Sequence, residues 1–167
     1  DGGSLPVYLL DTDLPENSPE QRAITTRLYV GDRDTRLRQE ILLGIGGMRA
    51  LEVMGIEPAI CHMNEGHSAL LALERTRQIM VKHNLSREEA REVVWATSVF
   101  TTHTPVPAGN ERFAPDLMAR QLGPYLGKLG LDWNEFLAMG RENPSDPQEQ
   151  FCLTVLALHH AAYNNGV

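Results

Sequence analysis

EPAICHMNEGH, residues 57–67, is the stretch that decides the fold of this chain. Residues 57–63 predict a buried strand, because a short apolar run is bounded there by turn-forming residues. The turn Asn-Glu-Gly follows at 64–66, and from there to about Val81 apolar residues recur at the spacing of a helix. A strand, a tight turn and a helix form the unit of α/β proteins, so we predict that fold class.

Upstream of this unit the sequence predicts a second strand and a long helix. The apolar run 5–11 is typical of a buried parallel strand. From Thr35 to about Met54, apolar residues spaced three and four apart describe one face of a helix. Glycines at 44, 46 and 47 interrupt it, and we expect them to permit close packing. A phosphate-binding loop is disfavoured, because no strand directly precedes them and no lysine follows.

Downstream, Ser86 and Glu89 form a capping-box pattern that predicts the start of a helix. This helix should end near Phe100 or Thr101, because prolines 105 and 107 predict a loop over 104–110. Three further helices are predicted, around 117–126, after Asp132 and over 147–164. Nothing marks an internal domain boundary, so residues 1–167 are treated as one segment.

Composition limits the functions that the chain can have. It carries 15 Lys and Arg against 22 Asp and Glu, and its net charge is −7, so no basic surface for nucleic acid is expected. The densest basic stretch, 33–38, is interrupted by Asp34 and predicts a solvated helix face. No signal pattern or long apolar segment indicates secretion or a membrane span.

The cysteines suggest a cellular location, and the chain ends suggest that the chain is part of a longer protein. Cys61 and Cys152 both lie in apolar runs, which predicts buried free thiols and a cytoplasmic location. The chain begins at Asp1 without an initiator Met and ends just after an apolar stretch, so we expect both ends to be cuts in a longer chain.

Polar side chains gather in two loops, each following a predicted regular element. In open α/β sheets, ligands bind outside the carboxyl ends of strands, and a helix amino terminus adds free N–H groups. These side chains are therefore the candidate binding residues. They are Asn64, Glu65 and His67 in the first loop, and Thr102, His103 and Thr104 in the second.

The chemistry of two of these residues suits sugar hydroxyls, which both donate and accept hydrogen bonds. Glu65 can accept from hydroxyls, and the ring of His103 can donate at one nitrogen and accept at the other. A structural interpretation is also open. In that interpretation Glu65 is a first-turn acid favoured by the helix dipole, and His103 is a buried histidine before a proline turn.

A metal site is the main competing chemical hypothesis, and the spacing disfavours it. His62 and His67 are five residues apart across a turn, not four apart on one helix face. His159 and His160 are adjacent and point in different directions. We therefore predict no metal site among the six candidate ligands, which are His62, Glu65, His67, His103, His159 and His160.

With both loops identified, the sequence resembles the glycogen, starch and maltodextrin phosphorylase family. Members carry an N-D-T-H-P-like element and, downstream, a Y-T-N-H-T-x-x-P-E-like element, which stand here as NEGHS at 64–68 and FTTHTPVP at 100–107. Residues 9–12, 38–40 and 161–167 also look like this family. The N-E-G-H form is most similar to the shorter bacterial and archaeal members.

The resemblance implies a fold and an activity. It implies the GT-B architecture of two Rossmann-like domains, with this chain as a helix-rich portion of the amino-terminal domain. The implied reaction is phosphorolysis, in which inorganic phosphate releases glucose 1-phosphate from an α-1,4-glucan. Pyridoxal phosphate would be bound by the carboxyl-terminal domain, since nothing in this chain resembles the family's cofactor-binding lysine or its glycine-rich phosphate-binding loop. The fragment alone should therefore be inactive. A homo-oligomer of the parent is compatible with this reading.

The resemblance also implies individual contacts. His103 would contact the glucosyl 6-hydroxyl through its ring or its carbonyl, and Glu65 would support His103 and line the pocket. Asn64, His67 and Thr104 would be further lining residues.

One position departs from the family pattern. The acid that follows the proline of the second motif is Ala108 here, and Glu111 is the expected substitute.

Two other functions compete with this one. A GT-B glycosyltransferase that uses a nucleotide sugar, such as a glycogen or starch synthase, has a comparable strand, loop and histidine. A non-catalytic helical interaction module would account for the apolar helices, but it leaves both polar loops unexplained.

Overall fold

A computed structural model of the chain describes residues 3–4, 6–28, 31–106 and 110–167. Short 3₁₀ turns lie at Ala23–Thr25, Gly66–Ser68 and Gly127–Leu129, and a π turn at Leu42–Gly46. The helices are α1 (Pro19–Arg22), α2 (Arg33–Ile41), α3 (Gly47–Val53), α4 (Leu71–His83), α5 (Arg87–Ala96), α6 (Pro115–Leu126), α7 (Trp133–Met139) and α8 (Leu153–His159). The strands are β1 (Cys61–Asn64), β2 (Ser98–Thr102), β3 (Arg112–Phe113), β4 (Phe151–Cys152) and β5 (Tyr163–Gly166).

Three strands form a parallel sheet in the order β1-β2-β5. Met63 lies opposite Phe100, and Thr101 lies opposite Asn165. Helices α4 and α5 connect β1 to β2, so the predicted α/β class is confirmed. Because the strands are parallel, their carboxyl ends meet at one edge of the sheet.

The core lies against one face of this sheet. Met63 of β1 and Phe100 of β2 are buried in one apolar cluster with side chains from α2, α4, α6, α7 and α8. On the other face of β1, His62 and Asn64 are exposed. The alternation follows from the period of two along a strand, and it directs polar side chains away from the core. Strands β3 and β4, which directly precede α6 and α8, form a separate antiparallel pair.

The predicted helix over 35–54 is confirmed, although a π turn divides it into α2 and α3 at the glycines. A Cβ on Gly44 would lie 2.8 Å from the Leu71 nitrogen and 3.0 Å from the Leu70 carbonyl carbon. Glycine is therefore required at 44, because the start of α4 packs directly on the helix backbone. A Cβ on Gly47 would meet nothing within 4 Å.

The predicted strand at 5–11 is wrong over its described part, and Leu5 lies outside the described residues. Residues 6–11 form no strand, and the side chain of Leu9 is 88% exposed. A parallel strand needs a neighbour, and no strand of the described residues pairs with this segment. The Thr25 hydroxyl donates to Asp11 Oδ1 over 2.7 Å, and this contact ties the segment to the turn after α1.

Helix starts are confirmed better than helix ends. The Ser86 capping box opens α5, and Asp132 opens α7 with a capping box of its own. However, α5 ends at Ala96 rather than near Phe100, because the β-branched and aromatic run 98–102 forms β2.

The final helix is also shorter than predicted. Of the predicted 147–164 only Leu153–His159 is helical, since β4 precedes it and β5 follows it. Both strands have partners far away in sequence, which local periodicity does not show.

Two expectations from composition can be compared with the structure. Cys61 and Cys152 are both buried and unpaired, which confirms the expected free thiols. Within the described ranges, no helix has both the length and the apolar character that crossing a membrane requires.

The two glycines allow a matched test of the contact between the α2–α3 stretch and α4. Gly44→Ala should lower the free energy of unfolding of the chain by about 1–3 kcal/mol, because the new methyl group meets fixed backbone atoms. Gly47→Ala should leave it unchanged or raise it by up to about 1 kcal/mol, since alanine favours helix and the site is open. Urea unfolding followed by circular dichroism measures both. Equal effects would contradict the close packing.

Candidate functional site

The two predicted loops meet at the carboxyl edge of the sheet, and Glu65 joins them. The Glu65 amide donates to the Thr101 carbonyl over 2.8 Å, which extends the β1–β2 ladder by one residue. Its side chain then crosses to the second loop. Glu65 Oε1 accepts from the His103 amide at 2.5 Å and from the Thr104 hydroxyl at 3.1 Å, and Oε2 accepts from the Thr102 hydroxyl at 3.2 Å. We call these contacts the Glu65 clasp.

The backbone of Glu65 is strained. Its φ is 60° and its ψ is −179°, a region that is essentially restricted to glycine. The neighbouring Gly66 has a different reason to be glycine, because a Cβ there would lie 2.9 Å from the Thr154 nitrogen at the start of α8. The loop is thus pressed against α8 on one side and bound to the second loop on the other.

The hydrogen bonds of the clasp keep Glu65 ionised. Desolvation by burial would raise the pKa of Glu65, but the bonds from His103, Thr104 and Thr102 outweigh it and lower that pKa below its usual value. The carboxylate therefore serves as a fixed acceptor near neutral pH. Three donors already use its oxygens.

The remaining predicted site residues line the outside of the clasp. His103 and Asn64 are exposed, and the His67 side chain is 41% exposed. Both loops therefore present polar side chains toward solvent at one edge. Pro107 and Ala108, at the end of the second motif, lie outside the described residues.

A second group of charged side chains lies beside the clasp, around Arg36 of α2. Arg36 Nε is 2.8 Å from Glu111 Oε2 and 3.1 Å from Glu40 Oε1, and its Nη2 is 2.9 Å from His67 Nδ1. We call these four residues the Arg36 cluster. It brings Glu111, the expected substitute for the missing acid, next to His67.

Glu40 is the buried member of the Arg36 cluster, with a side chain only 3% exposed. Neither of its oxygens receives a hydrogen bond from the described part of the chain. Burial is the main cause that raises the pKa of Glu40 from 4.5 to about 7, and the Glu111 carboxylate adds to it while the charge of Arg36 opposes it. The pKa of Glu111 is lowered, because its contacts with Glu40 and Arg36 outweigh its own desolvation. A protonated Glu40 can thus donate to an ionised Glu111.

The cluster contains three groups that could ligate a metal ion. The ligand atoms of Glu40, His67 and Glu111 lie within 4.8 Å of one another. However, the Arg36 guanidinium lies against all three of these residues. It already supplies the positive charge that an ion would bring, so an ion would have to displace it.

The six ligands considered from the sequence do not come together as one group. His62 Nε2 lies 2.8 Å from the Thr101 hydroxyl, and His159 Nδ1 lies 3.0 Å from the Met139 carbonyl. His160 is buried, with Nδ1 2.8 Å from the Leu156 carbonyl. Each of these three histidines has a structural partner of its own.

Arg36 and Glu40 are the residues that the sequence did not reveal. The stretch 33–38 was predicted as a solvated face, which is wrong for Arg36, because its side chain is only 11% exposed and faces the site. The available signal was an Arg–Glu pair four residues apart on a helix. Such pairs are usually exposed, so the pattern by itself does not indicate a buried cluster.

The two lysines of the chain lie away from the candidate site. The sequence has lysine only at 82 and 128. Lys82 lies on α4 and pairs with Glu57, which precedes β1 at the opposite end of the sheet from the clasp, and Lys128 lies in the turn after α6. Neither lies in the two loops that form the clasp.

The strain at Glu65 can be measured with two substitutions that both remove the clasp. Glu65→Ala keeps a side chain in the unfavourable backbone region, whereas Glu65→Gly relieves it. The glycine variant should therefore have the larger free energy of unfolding, by roughly 1–3 kcal/mol. Urea unfolding of the two variants side by side measures the difference. An alanine variant as stable as the glycine variant would show that the strain is absent.

The raised pKa of Glu40 predicts how stability depends on pH. Between pH 4.5 and 7 the folded chain keeps a proton that the unfolded chain has released, so this residue stabilises the fold at low pH and its contribution is lost as pH rises. The full shift corresponds to roughly 3 kcal/mol as an upper limit, at about 1.4 kcal/mol per pKa unit.

Glu40→Gln should therefore remove part of the decline in unfolding free energy between pH 4.5 and 7.5. Urea unfolding at several pH values measures this decline. Glu20→Gln, on an exposed side chain that pairs with Arg38, is the control and should leave the pH dependence unchanged. A Glu40→Gln profile parallel to that of the unmodified chain would rule out the shift.

Comparison with known proteins supplies the family. No protein-family model matches the chain. It is 46% identical over 165 residues to the maltodextrin phosphorylase of Thermococcus litoralis and 41% identical over 176 residues to the glycogen phosphorylase of Mycobacterium tuberculosis. It is 38% identical over 165 residues to the glycogen phosphorylase of Aquifex aeolicus.

In each of these alignments 99% of the chain is covered, but only 19%, 20% and 24% of the respective relative. The chain thus spans about a fifth to a quarter of the length of the relatives it matches. Both loops of the clasp fall within the shared region, since almost the whole chain is aligned. Over this region, the chain belongs to the maltodextrin and glycogen phosphorylase family.

Proposed function

We propose that this chain is part of an α-glucan phosphorylase and forms one wall of its glucosyl-binding site. The substrates would be an α-1,4-glucan and inorganic phosphate, and the product glucose 1-phosphate. The observation that carries the proposal is the Glu65 clasp, because it joins the two motifs of the family into a single polar edge. The names of the relatives favour phosphorolysis over transfer from a nucleotide sugar.

His103 is the residue that we propose to contact the sugar. It is exposed at the edge, while its own amide is held by Glu65 at 2.5 Å. The amide is thus fixed, and the ring or the carbonyl is left to bind the glucosyl 6-hydroxyl. A neutral imidazole both donates and accepts, which suits a hydroxyl partner.

Glu65 acts mainly by positioning. Its contact with His103 is through the backbone amide rather than the ring, and the hydroxyls of Thr102 and Thr104 take further places on the carboxylate. Little of its accepting capacity is left for a sugar hydroxyl. Its fixed negative charge still favours a sugar that becomes cationic as the glycosidic bond breaks.

Asn64, His67 and Thr104 complete the proposed wall. Asn64 and His67 lie outside the clasp with exposed polar groups, and Thr104 lies next to His103. Glu111 does not reach the sugar directly in this proposal, because Arg36 binds it at 2.8 Å. It acts instead on His67 through the Arg36 cluster.

The rest of the proposed enzyme lies outside this chain. In the proposal residues 1–167 are one internal segment of the amino-terminal domain of a cytoplasmic GT-B enzyme. Pyridoxal phosphate would be held by a carboxyl-terminal domain and would supply acid–base chemistry through its phosphate group. The chain alone would be inactive, because it forms only one wall of the site. Assembly into a homo-oligomer would also be a property of the whole enzyme.

The proposal is tested with the full-length polypeptide that carries this chain. It should form glucose 1-phosphate from maltodextrin and inorganic phosphate. His103→Ala should lower kcat/KM by about 100-fold, because a misplaced sugar loses its alignment with the reacting groups. Bound cofactor, read from its absorbance, and the melting temperature should both stay unchanged.

His83→Ala is the matched control, since His83 is exposed at the carboxyl end of α4, away from the clasp, and should leave kcat/KM unaltered. Full activity of His103→Ala would refute the contact of His103 with the sugar. Transfer from a nucleotide sugar without any phosphorolysis would replace the phosphorylase proposal with the synthase alternative.

A further inference from the structure

The orientation of the His67 ring is set from one side only. Its Nδ1 lies 2.9 Å from Arg36 Nη2 and 3.5 Å from Glu40 Oε1. Among the residues that the structure describes, none forms a hydrogen bond with its Nε2, and the side chain is 41% exposed. One ring nitrogen is therefore bound to the Arg36 cluster, and the other is free to meet a ligand.

The chemistry of the arginine decides which nitrogen of His67 carries the proton. A guanidinium has only N–H donors and stays charged at any ordinary pH, so His67 Nδ1 must accept. The Glu40 contact at 3.5 Å is too long to compete by drawing a proton onto Nδ1. In the neutral ring, the proton is then on Nε2.

The arginine is itself held in place. Glu111 at 2.8 Å and Glu40 at 3.1 Å both contact its Nε, and its side chain is largely buried between α2 and the first loop. Two carboxyl groups on one guanidinium restrict its rotation, so the N–H that faces His67 has a fixed direction. A single exposed ion pair would not achieve this.

We propose that Arg36 is a positioning residue that fixes His67 as the neutral Nε2–H tautomer and presents this N–H as a donor at the site. His67 then recognises an acceptor oxygen, and it cannot accept from a sugar hydroxyl. The identification of that oxygen as part of the glucan rests on the proposed function. The tautomer rests only on the contact between Arg36 and His67.

Neutron diffraction from the full-length polypeptide, crystallised in D₂O near neutral pD, reads the tautomer directly. We expect deuterium on His67 Nε2 and none on Nδ1. Deuterium on Nδ1 would overturn the inference even in an active phosphorylase. Conversely, an enzyme without phosphorolysis but with deuterium on Nε2 alone would contradict only the proposed function, so the two failures are distinguishable.

Substitution of Arg36 tests the consequence for binding. Arg36→Met removes the donor to Nδ1, so deuterium should then be divided between both nitrogens. The KM for maltodextrin should rise about five-fold with little change in kcat, as expected when a neutral hydrogen bond of about 1 kcal/mol is lost from ground and transition states alike.

Arg38→Met is the control, because Arg38 lies on the same helix and pairs with Asp34 and Glu20 instead. It should alter neither the tautomer nor KM. An Arg36→Met enzyme with unchanged KM, or an equal rise in Arg38→Met, would refute the positioning action of Arg36.

A pair of substitutions at position 67 gives a test that does not disturb Arg36. The amide of Gln places its N–H₂ near the position of Nε2, whereas the shorter amide of Asn reaches only the position of Nδ1. His67→Gln should therefore keep a lower KM than His67→Asn. The reverse order would contradict a donor at Nε2.

Discussion

The clasp made by the Glu65 carboxylate is the interaction on which the arrangement of the site depends. Parallel pairing brings the ends of β1 and β2 together, but the backbone ladder stops at the bond from the Glu65 amide to the Thr101 carbonyl. Beyond it the second loop contains Pro105, which has no N–H to contribute. Where the ladder ends, the side chain of Glu65 fixes Thr102, His103 and Thr104 of the second loop through three hydrogen bonds. Without the Glu65 carboxylate, no other group in the described part of the chain would hold the His103 amide.

Two glutamates near this edge show how neighbours determine the state of the same chemical group. Glu65 receives three hydrogen bonds, and its pKa is lowered despite desolvation. Glu40 is buried beside a second carboxylate and shares Arg36 with it, so its pKa is raised to about 7. Burial alone does not decide the charge of a carboxyl group. The balance between desolvation, neighbouring charges and hydrogen-bond donors does.

The parts of this fold that could be predicted from sequence are the local ones. The strand-turn-helix unit at 57–81, the Ser86 capping box and the two polar loops depend on residues close together in the chain, and their existence was predicted. Strands β2 and β5 were missed because each is stabilised by partners distant in sequence. For the same reason the apolar run 5–11 was overestimated, since it has no neighbour to pair with.

In the candidate site, too, local features could be predicted from sequence and features that depend on tertiary packing could not. Its loops could be predicted from motif and spacing, but Arg36 and Glu40 could not. Their i, i+4 spacing is shared with many exposed ion pairs, and only the packing of α2 against the Gly66–Ser68 turn makes it a buried cluster. The strain at Glu65 was equally invisible, because a positive φ is expected at Gly66 and instead falls on its neighbour. A polar chain across the sheet adds to this rigidity, since Thr101 of the central strand lies 2.8 Å from His62 and donates to Asn165 over 2.9 Å. The backbone ladder, the hydrogen bonds of Thr101 and the clasp therefore restrain the same few residues at this edge. The proposed positioning of a sugar requires such a rigid edge.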